Sequence, residues 1–207
     1  MDEELEQEPR RQIPIVTIIF VAANVLMYVA TEVKGSSMDS DHMIQMGAMY
    51  EPAFVQGREY YRIFTCFFLH FGMDHLTNNM VSLLVLGYTL EFEIGRGWFG
   101  FIYLCSGVVA SLVSVWYHLY TGQEVVSCGA SGAIYGLMGG LLVLLVCNWE
   151  KMRGQIVRFL LYSVLSIGSG MLDTGIDNAA HLGGFAGGAF LCVMMYIVKR
   201  RKEQVVL

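Results

Sequence analysis

The sequence predicts an all-α membrane protein built as a bundle of six transmembrane helices. Hydrophobic residues make up 55% of the 207 residues and charged residues only 15%, whereas about 25% of a soluble domain is charged. A helix that crosses a bilayer needs about 20 predominantly apolar residues. Six stretches fit: residues 12–31, 75–90, 97–123, 125–149, 155–172 and 178–198. All but the fifth lack Asp, Glu, Lys and Arg; the fifth carries Arg158, near enough to its start for the side chain to reach the interface.

The distribution of basic residues predicts the orientation of these spans. Ten of the 13 Lys and Arg residues fall on one side of the predicted bundle, and cytosolic segments of membrane proteins carry the excess of positive charge. Both ends are therefore expected in the cytosol. The predicted organisation is a short acidic cytosolic tail (1–11), one six-span domain (12–198) and a basic cytosolic tail (199–207). The first apolar stretch is longer than the core of a signal peptide, so it is expected to be retained.

The longest connection, residues 34–74, lies on the predicted outer side. Loops of this length are often functional. This one contains several methionine and aromatic residues, so it is expected to pack against the bilayer surface as a membrane-associated first outer loop.

Unusual polar residues fall at one depth of the predicted bundle. Spans two, four and six all enter from the outer side, and His75, Asn79, Ser131 and His181 lie near their outer ends. Ionisable groups inside spans are rare and are usually functional. A serine hydroxyl becomes a good nucleophile when an adjacent base takes its proton. We therefore predict Ser131 as the nucleophile and His181 as its general base.

Glycines support contact between the two spans that carry this pair. Gly184 and Gly188 form a GxxxG face, which allows close helix packing. The alternative interpretation of Ser131, flanked by Gly129 and Gly132, is ordinary packing of small residues at a helix contact.

Two further interpretations concern the histidines and Asn79. His75 and Asn79 share a helix face and could donate hydrogen bonds to an oxyanion, or they could bond each other or the loop. His70 is expected to fix the loop through a hydrogen bond. A rival hypothesis is a zinc site formed by His70, His75 and His181, although the sequence contains no HExxH motif. The remaining two histidines, His42 and His118, have no evident partner and are expected to be structural.

Three motifs resemble those of the rhomboid intramembrane serine proteases. Residues 70–79 match HxxxxHxxxN in span two, residues 129–132 match GxSG in span four, and residues 180–188 match AHxxGxxxG in span six. Each motif alone is weak, but the three occur in the order and on the spans that the family requires. The resemblance covers nearly the whole chain.

The resemblance implies a role for each matching residue. It assigns Ser131 and His181 to a catalytic dyad without an acidic third member, and His75, Asn79 and the Ser131 amide to the oxyanion hole. Tyr135 resembles the tyrosine that packs on the catalytic histidine. Glu91, at the inner end of span two, matches a structural glutamate of the family. The chain departs from the family at Tyr61-Arg62, where Trp-Arg is usual; the loop is still expected to dock.

The expected activity is that of a serine endopeptidase that cleaves transmembrane segments of single-span proteins near their outer edge. No cofactor, metal or nucleic acid is implied, and the expected location is a bacterial plasma membrane. Two alternatives stay open: a catalytically inactive relative that binds membrane proteins, and a channel or metal transporter that uses the histidines.

Overall fold

The computed structural model describes residues 13–157 and 177–205, with side chains as far as Arg200. Its elements in chain order are α1 (Ile15–Lys34), α2 (Ser40–Met46), β1 (Met49–Tyr50), α3 (Glu51–Val55), α4 (Arg62–Thr65), a 3-10 turn (Cys66–Phe68), α5 (Gly72–Ile94), α6 (Arg96–Thr121), β2 (Val126–Ser127), α7 (Ser131–Cys147), α8 (Trp149–Met152), a second 3-10 turn (Arg153–Gln155) and α9 (Asn178–Val205). The long helices α1, α5, α6, α7 and α9 coincide with predicted spans one, two, three, four and six.

By length and composition, three of the described helices can cross a membrane: Ile15–Lys34, Arg96–Thr121 and Asn178–Arg200. A fourth candidate is α7 together with the short helices after it, which are bent away by 119°. Helix α5 is long enough, but Asn78, Asn79 and Glu91 make it more polar. The fifth predicted span lies outside the described residues from residue 158 onward.

The prediction for the start of span four was wrong by six residues. Helix α7 begins at Ser131, not at residue 125. Before it, Val126–Ser127 pairs antiparallel with Met49–Tyr50, and Gly129 adopts a φ of +137°. This left-handed backbone region favours glycine, and it breaks the helix just before the serine.

The first connection is braced internally by Arg62, which is almost fully buried. Its guanidinium donates to the carbonyl oxygens of Ile44 (2.7 Å) and Ala48 (2.6 Å) and to the carboxylate of Glu59 (2.7 Å). Tyr61 lies at the surface, and its hydroxyl donates to Glu59. The arginine of the Tyr61-Arg62 pair thus holds this connection together.

The start of α1 is anchored at the end of the bundle remote from Ser131. The Glu91 carboxylate, in the last turns of α5, accepts hydrogen bonds from Val16 N (3.0 Å), Thr17 N (2.8 Å) and Thr17 Oγ1 (2.8 Å). Arg96 lies 3.6 Å from the same carboxylate. A negative charge at a helix N-terminus satisfies its free N–H groups and complements its dipole. Glu91 therefore fixes α1 against α5.

The apolar core lies among α5, α6 and α7, with Tyr28 of α1 and Cys192 and Met195 of α9 at its edges. Its largest fully buried side chains include Phe99 and Tyr103 of α6 and Leu83, Leu90 and Leu137 of the two neighbouring helices. This core holds the first turns of α5, α7 and α9 at one end of the bundle, which is the end that carries the predicted site.

Candidate active site

Ser131 is the first residue of α7, and the backbone before it is tightly constrained. A Cβ placed on Gly129 would lie 2.8 Å from Cε1 of His75 and 3.7 Å from Ser131 Oγ, so a side chain there would displace the His75 ring. The amide of Ala130 donates to Nε2 of His70 at 3.4 Å. These contacts fix the backbone directly before Ser131 and so orient the start of α7.

His181 lies in the first turn of α9, and its Nε2 is 2.8 Å from Ser131 Oγ. This is an ordinary hydrogen-bond distance. When Nδ1 carries the ring proton, Nε2 accepts the bond from the serine hydroxyl. The structure thus brings the predicted nucleophile and base into direct contact, although they are 50 residues apart in sequence.

Tyr135 lies one helical turn after Ser131 and stacks on the His181 imidazole. The ring centroids are 4.1 Å apart and the planes are tilted by only 10°. Stacking of this kind is worth about 0.5–1.5 kcal/mol beyond the burial of area. The tyrosine therefore restricts rotation of the imidazole while Nε2 contacts the serine.

Glycines let α7 and α9 approach closely enough for this contact. A Cβ on Gly184 would collide with the carbonyl oxygen of Gly132, and a Cβ on Gly188 would collide with that of Gly136. Gly139 meets the backbone of Phe185 in the same way. The obstructing atoms are backbone atoms, so a larger residue would separate the helices.

His75 and Asn79 occupy the first two turns of α5. The His75 ring lies against Gly129. The Asn79 side chain is buried, and its Nδ2 donates to the main-chain oxygen of His75 at 2.9 Å. One of the two N–H groups of Asn79 is used in this bond, and the amide has a second one. The Ser131 amide, at the start of α7, has no acceptor within its own helix.

His70 is fully buried, and its Nε2 accepts the hydrogen bond from Ala130 N in the turn before Ser131. Burial and, to a smaller extent, the neighbouring His75 lower the pKa of His70 to about 3. Its imidazole is thus neutral near pH 7 and accepts the amide hydrogen bond. Within residues 13–157 and 177–205, no cluster of three metal-ligating side chains is found.

A comparison with protein families decides what kind of chain this is. The model of the rhomboid domain matches residues 57–198, and this range contains every residue of the site described above. The chain belongs to the rhomboid family.

Similar rhomboid proteins come from bacteria, plants and fungi. The chain is 32% identical to rhomboid protease GluP of Bacillus subtilis over 187 residues, which is 90% of this chain and 36% of that protein. It is 41% identical to RHOMBOID-like protein 5 of Arabidopsis thaliana over 71% of this chain and 47% of that protein. It is 32% identical to rhomboid-type serine protease 2 of Emericella nidulans over 66% of this chain and 27% of that protein. The chain thus spans less than half the length of each of these relatives.

Family membership and the long apolar helices make this rhomboid chain an integral membrane protein. The relatives include bacterial and plant proteins, so the expected bacterial plasma membrane stays a prediction.

A polar cluster beside the site was not predicted from the sequence. His118 was expected to have no partner, but its Nε2 lies 3.6 Å from Oδ2 of Asp177. Ser114 donates a hydrogen bond to this carboxylate. His42, the other histidine without an expected partner, has its Nε2 3.1 Å from the carbonyl oxygen of Thr31. One clue to Asp177 was present in the sequence, because aspartate directly before an apolar stretch is a typical helix N-cap.

Proposed function

We propose that this rhomboid is an intramembrane serine endopeptidase in which Ser131 is the nucleophile and His181 the general base. The observation that carries the proposal is the 2.8 Å contact between Ser131 Oγ and His181 Nε2, with the imidazole stacked on Tyr135. A nucleophile, an adjacent base and a third group that orients the base are the parts that activated serine requires. Two named rhomboid proteases among the relatives support the same reaction class.

The proposed reaction has two half-reactions. Ser131 Oγ attacks the carbonyl carbon of the scissile peptide bond while its proton passes to His181 Nε2. The tetrahedral oxyanion collapses, the C–N bond breaks, and His181 gives the proton to the leaving amine, which leaves an ester on Ser131. Water then attacks this ester and loses a proton to His181, and the acid product leaves as Ser131 Oγ takes that proton back.

The oxyanion is proposed to be bound by three donors at the start of α5 and α7. These are the Ser131 amide, the His75 ring and the second N–H of Asn79. Each donor aimed at a developing oxyanion contributes about 3–4 kcal/mol to transition-state stabilisation. Gly129, with its positive φ, has no side chain, which leaves the space between His75 and Ser131 open.

The proposed substrates are single-span membrane proteins, cut within the transmembrane segment near its outer edge. A helix in lipid hides its carbonyl groups in backbone hydrogen bonds, so the substrate must unwind locally before Ser131 can attack. Small or helix-breaking residues at the cut site lower the free energy of that step.

The proposed topology has six spans, with the fifth at residues 155–172 and both tails, 1–11 and 199–207, in the cytosol. A membrane-impermeant maleimide added to intact cells tests this. It should label Gln123→Cys, beyond the end of α6, more strongly than the parent chain. It should label Gly97→Cys, at the start of α6, no more strongly than the parent chain. Labelling of Gly97→Cys but not of Gln123→Cys would show that the proposed orientation is wrong.

Cleavage of a labelled single-span protein in reconstituted vesicles tests the proposed activity. Wild type should cut, and Ser131→Ala and His181→Ala should not. Ser40→Ala and His42→Ala are matched controls, since both residues lie in the first connection, and both should cut like the wild type. Equal cutting by all variants would mean that another protease is responsible. No cutting by any, with no reaction of Ser131 with a fluorophosphonate, would favour a rhomboid that binds membrane proteins without cleaving them.

A further inference from the structure

We infer that Asp177 is a positioning residue for His181, because its carboxylate ties the first turn of the histidine's helix to α6. This inference rests on the proposed function. It assigns a task to the partly buried Asp177 and to two buried polar residues, Ser114 and His118, that the proposed chemistry does not use.

Asp177 caps α9. It directly precedes the helix, its Oδ1 accepts a hydrogen bond from Ala180 N at 2.9 Å, and its main-chain oxygen accepts one from His181 N at 3.2 Å. An aspartate in this position satisfies one of the free N–H groups of the first turn. His181 is in that same turn, so the cap acts directly on the backbone that carries the imidazole.

The second carboxylate oxygen of Asp177 reaches a different helix. Oδ2 accepts a hydrogen bond from Ser114 Oγ and lies 3.6 Å from His118 Nε2. Ser114 and His118 are four residues apart on α6 and share one helix face, and both are buried. One carboxylate thus binds the start of α9 and the last two turns of α6 at once. We refer to the contacts of Asp177 with Ser114 and His118 as the α6 clamp.

The α6 clamp holds the first turn of α9, which the glycine contacts do not reach. Gly184 and Gly188 set the distance between α7 and α9, but both lie after His181 in the helix. The first turn of a helix lacks intrahelical partners for its N–H groups, so it is the part that moves most readily. A displacement of about 1 Å at a reacting group can lower a rate about 100-fold. The clamp fixes this turn against α6, which keeps Nε2 within reach of Ser131.

Substitutions at Asp177 can separate the clamp from the cap. Asp177→Ser keeps a good capping group but is too short to reach Ser114. Asp177→Asn keeps both the cap and the length. Asp177→Ala loses cap and clamp together. Asn178→Ala, at the exposed next position, is the matched control.

The experiment is steady-state cleavage of a single-span substrate by the full chain in vesicles, with thermal unfolding measured in parallel. For Asp177→Ser we expect kcat to fall roughly 10- to 100-fold while KM and the unfolding temperature change little. Asp177→Asn should restore most of kcat. Ser114→Ala should also lower kcat, and combining it with Asp177→Ser should add little, because the two residues share one contact.

Three results would overturn the inference. The first is an unchanged kcat for Asp177→Ser, with a lowered unfolding temperature only for Asp177→Ala, which would make Asp177 a cap and nothing more. The second is full additivity of Asp177→Ser and Ser114→Ala. The third, an inactive wild type, would overturn the proposed function and this inference with it. Ser114→Ala keeps the test decisive if Asp177→Ala fails to fold.

Discussion

The two ends of the bundle each bury a polar cluster, and the clusters differ in what their groups are bonded to. Around Glu91, the carboxylate accepts three hydrogen bonds from the start of α1 and faces Arg96. Around Ser131, the hydroxyl meets a base, and the amide at the start of α7 is free of helix acceptors. The polar groups of the first cluster join helices, whereas those of the second are the ones proposed to carry the chemistry.

This difference separates a structural cluster from a candidate active site in an otherwise apolar bundle. A buried charge costs little stability when its hydrogen-bonding positions are filled, and removing its partners leaves unsatisfied groups. The residues around Ser131 are instead proposed to interact with the substrate. If the comparison is right, changes around Ser131 should lower activity more than stability, and changes around Glu91 should do the reverse.

Apart from the dyad itself, the largest effect is expected for Asn79→Ala. Loss of one donor to the oxyanion should lower kcat about 100- to 1000-fold, with KM little changed. Asn78→Ala is the matched control, because Asn78 is the preceding residue of the same helix and is exposed; its kcat should stay within about twofold of the wild type. Equal losses for both variants, measured by cleavage kinetics, would remove Asn79 from the oxyanion site.

The next effect concerns the distance between α7 and α9. Gly184→Ala places a methyl group against the carbonyl oxygen of Gly132, which should move His181 away from Ser131 and lower kcat about 100-fold. Gly97→Ala, where a Cβ meets nothing within 4 Å, should leave kcat unchanged. Wild-type cleavage by Gly184→Ala would show that the close glycine contact does not set the distance between nucleophile and base.

Acidification should lower activity because a protonated His181 cannot accept the serine proton. Below the titration of the imidazole, the cleavage rate should fall about tenfold per pH unit. His70 does not contribute to this limb, because its folded-state pKa of about 3 keeps it neutral in the folded protein.

The titration of His70 also makes the stability of the protein depend on pH, so stability must be measured together with the cleavage rate. The unfolded chain protonates His70 near its ordinary pKa of about 6.5, and the folded chain does not until about pH 3. Its contribution to stability is therefore present above about pH 6.5 and is lost progressively as the pH falls below that value. Unfolding temperatures recorded at each pH separate this effect from the rate. A rate that does not fall at any acidic pH at which the protein stays folded would contradict the role of His181.

The smallest effect on activity is expected for Glu91→Ala. The variant leaves the amides of Val16 and Thr17 without their acceptor, at about 1–3 kcal/mol for an unsatisfied group, so the unfolding temperature should fall. The kcat of the folded protein should stay within about twofold. Glu93→Ala, which breaks only the partly exposed pair with Lys151, should change neither quantity noticeably. A tenfold loss of kcat in Glu91→Ala would contradict a purely structural role for the cluster around Glu91.

The sequence predicted the long helices well because their pattern is local. A run of about 20 apolar residues by itself indicates a helix that crosses the membrane. Five of the six predicted stretches coincide with long helices. The start of α7 was misplaced because residues 125–130 are as apolar as the helix, and only the backbone shows that Gly129 turns and that Val126–Ser127 pairs with a strand.

Site residues that lie in local sequence motifs could be predicted. Contacts between residues far apart in the sequence could not. Ser131 and His181 stood out as polar groups in apolar stretches, and the structure brings them together. Asp177 and His118 are 59 positions apart, and no local pattern links them. Their contact depends on the packing of α9 on α6, which becomes visible only in three dimensions.

The most direct test of the central claim is to treat the chain in vesicles with a fluorophosphonate at neutral pH and to locate the adduct by mass spectrometry. Such a probe reacts with a serine whose hydroxyl is activated by a neighbouring base. We expect one adduct, on Ser131, which is lost in His181→Ala and retained in His42→Ala. An adduct on another serine, or labelling of Ser131 that is unchanged in His181→Ala, would contradict it.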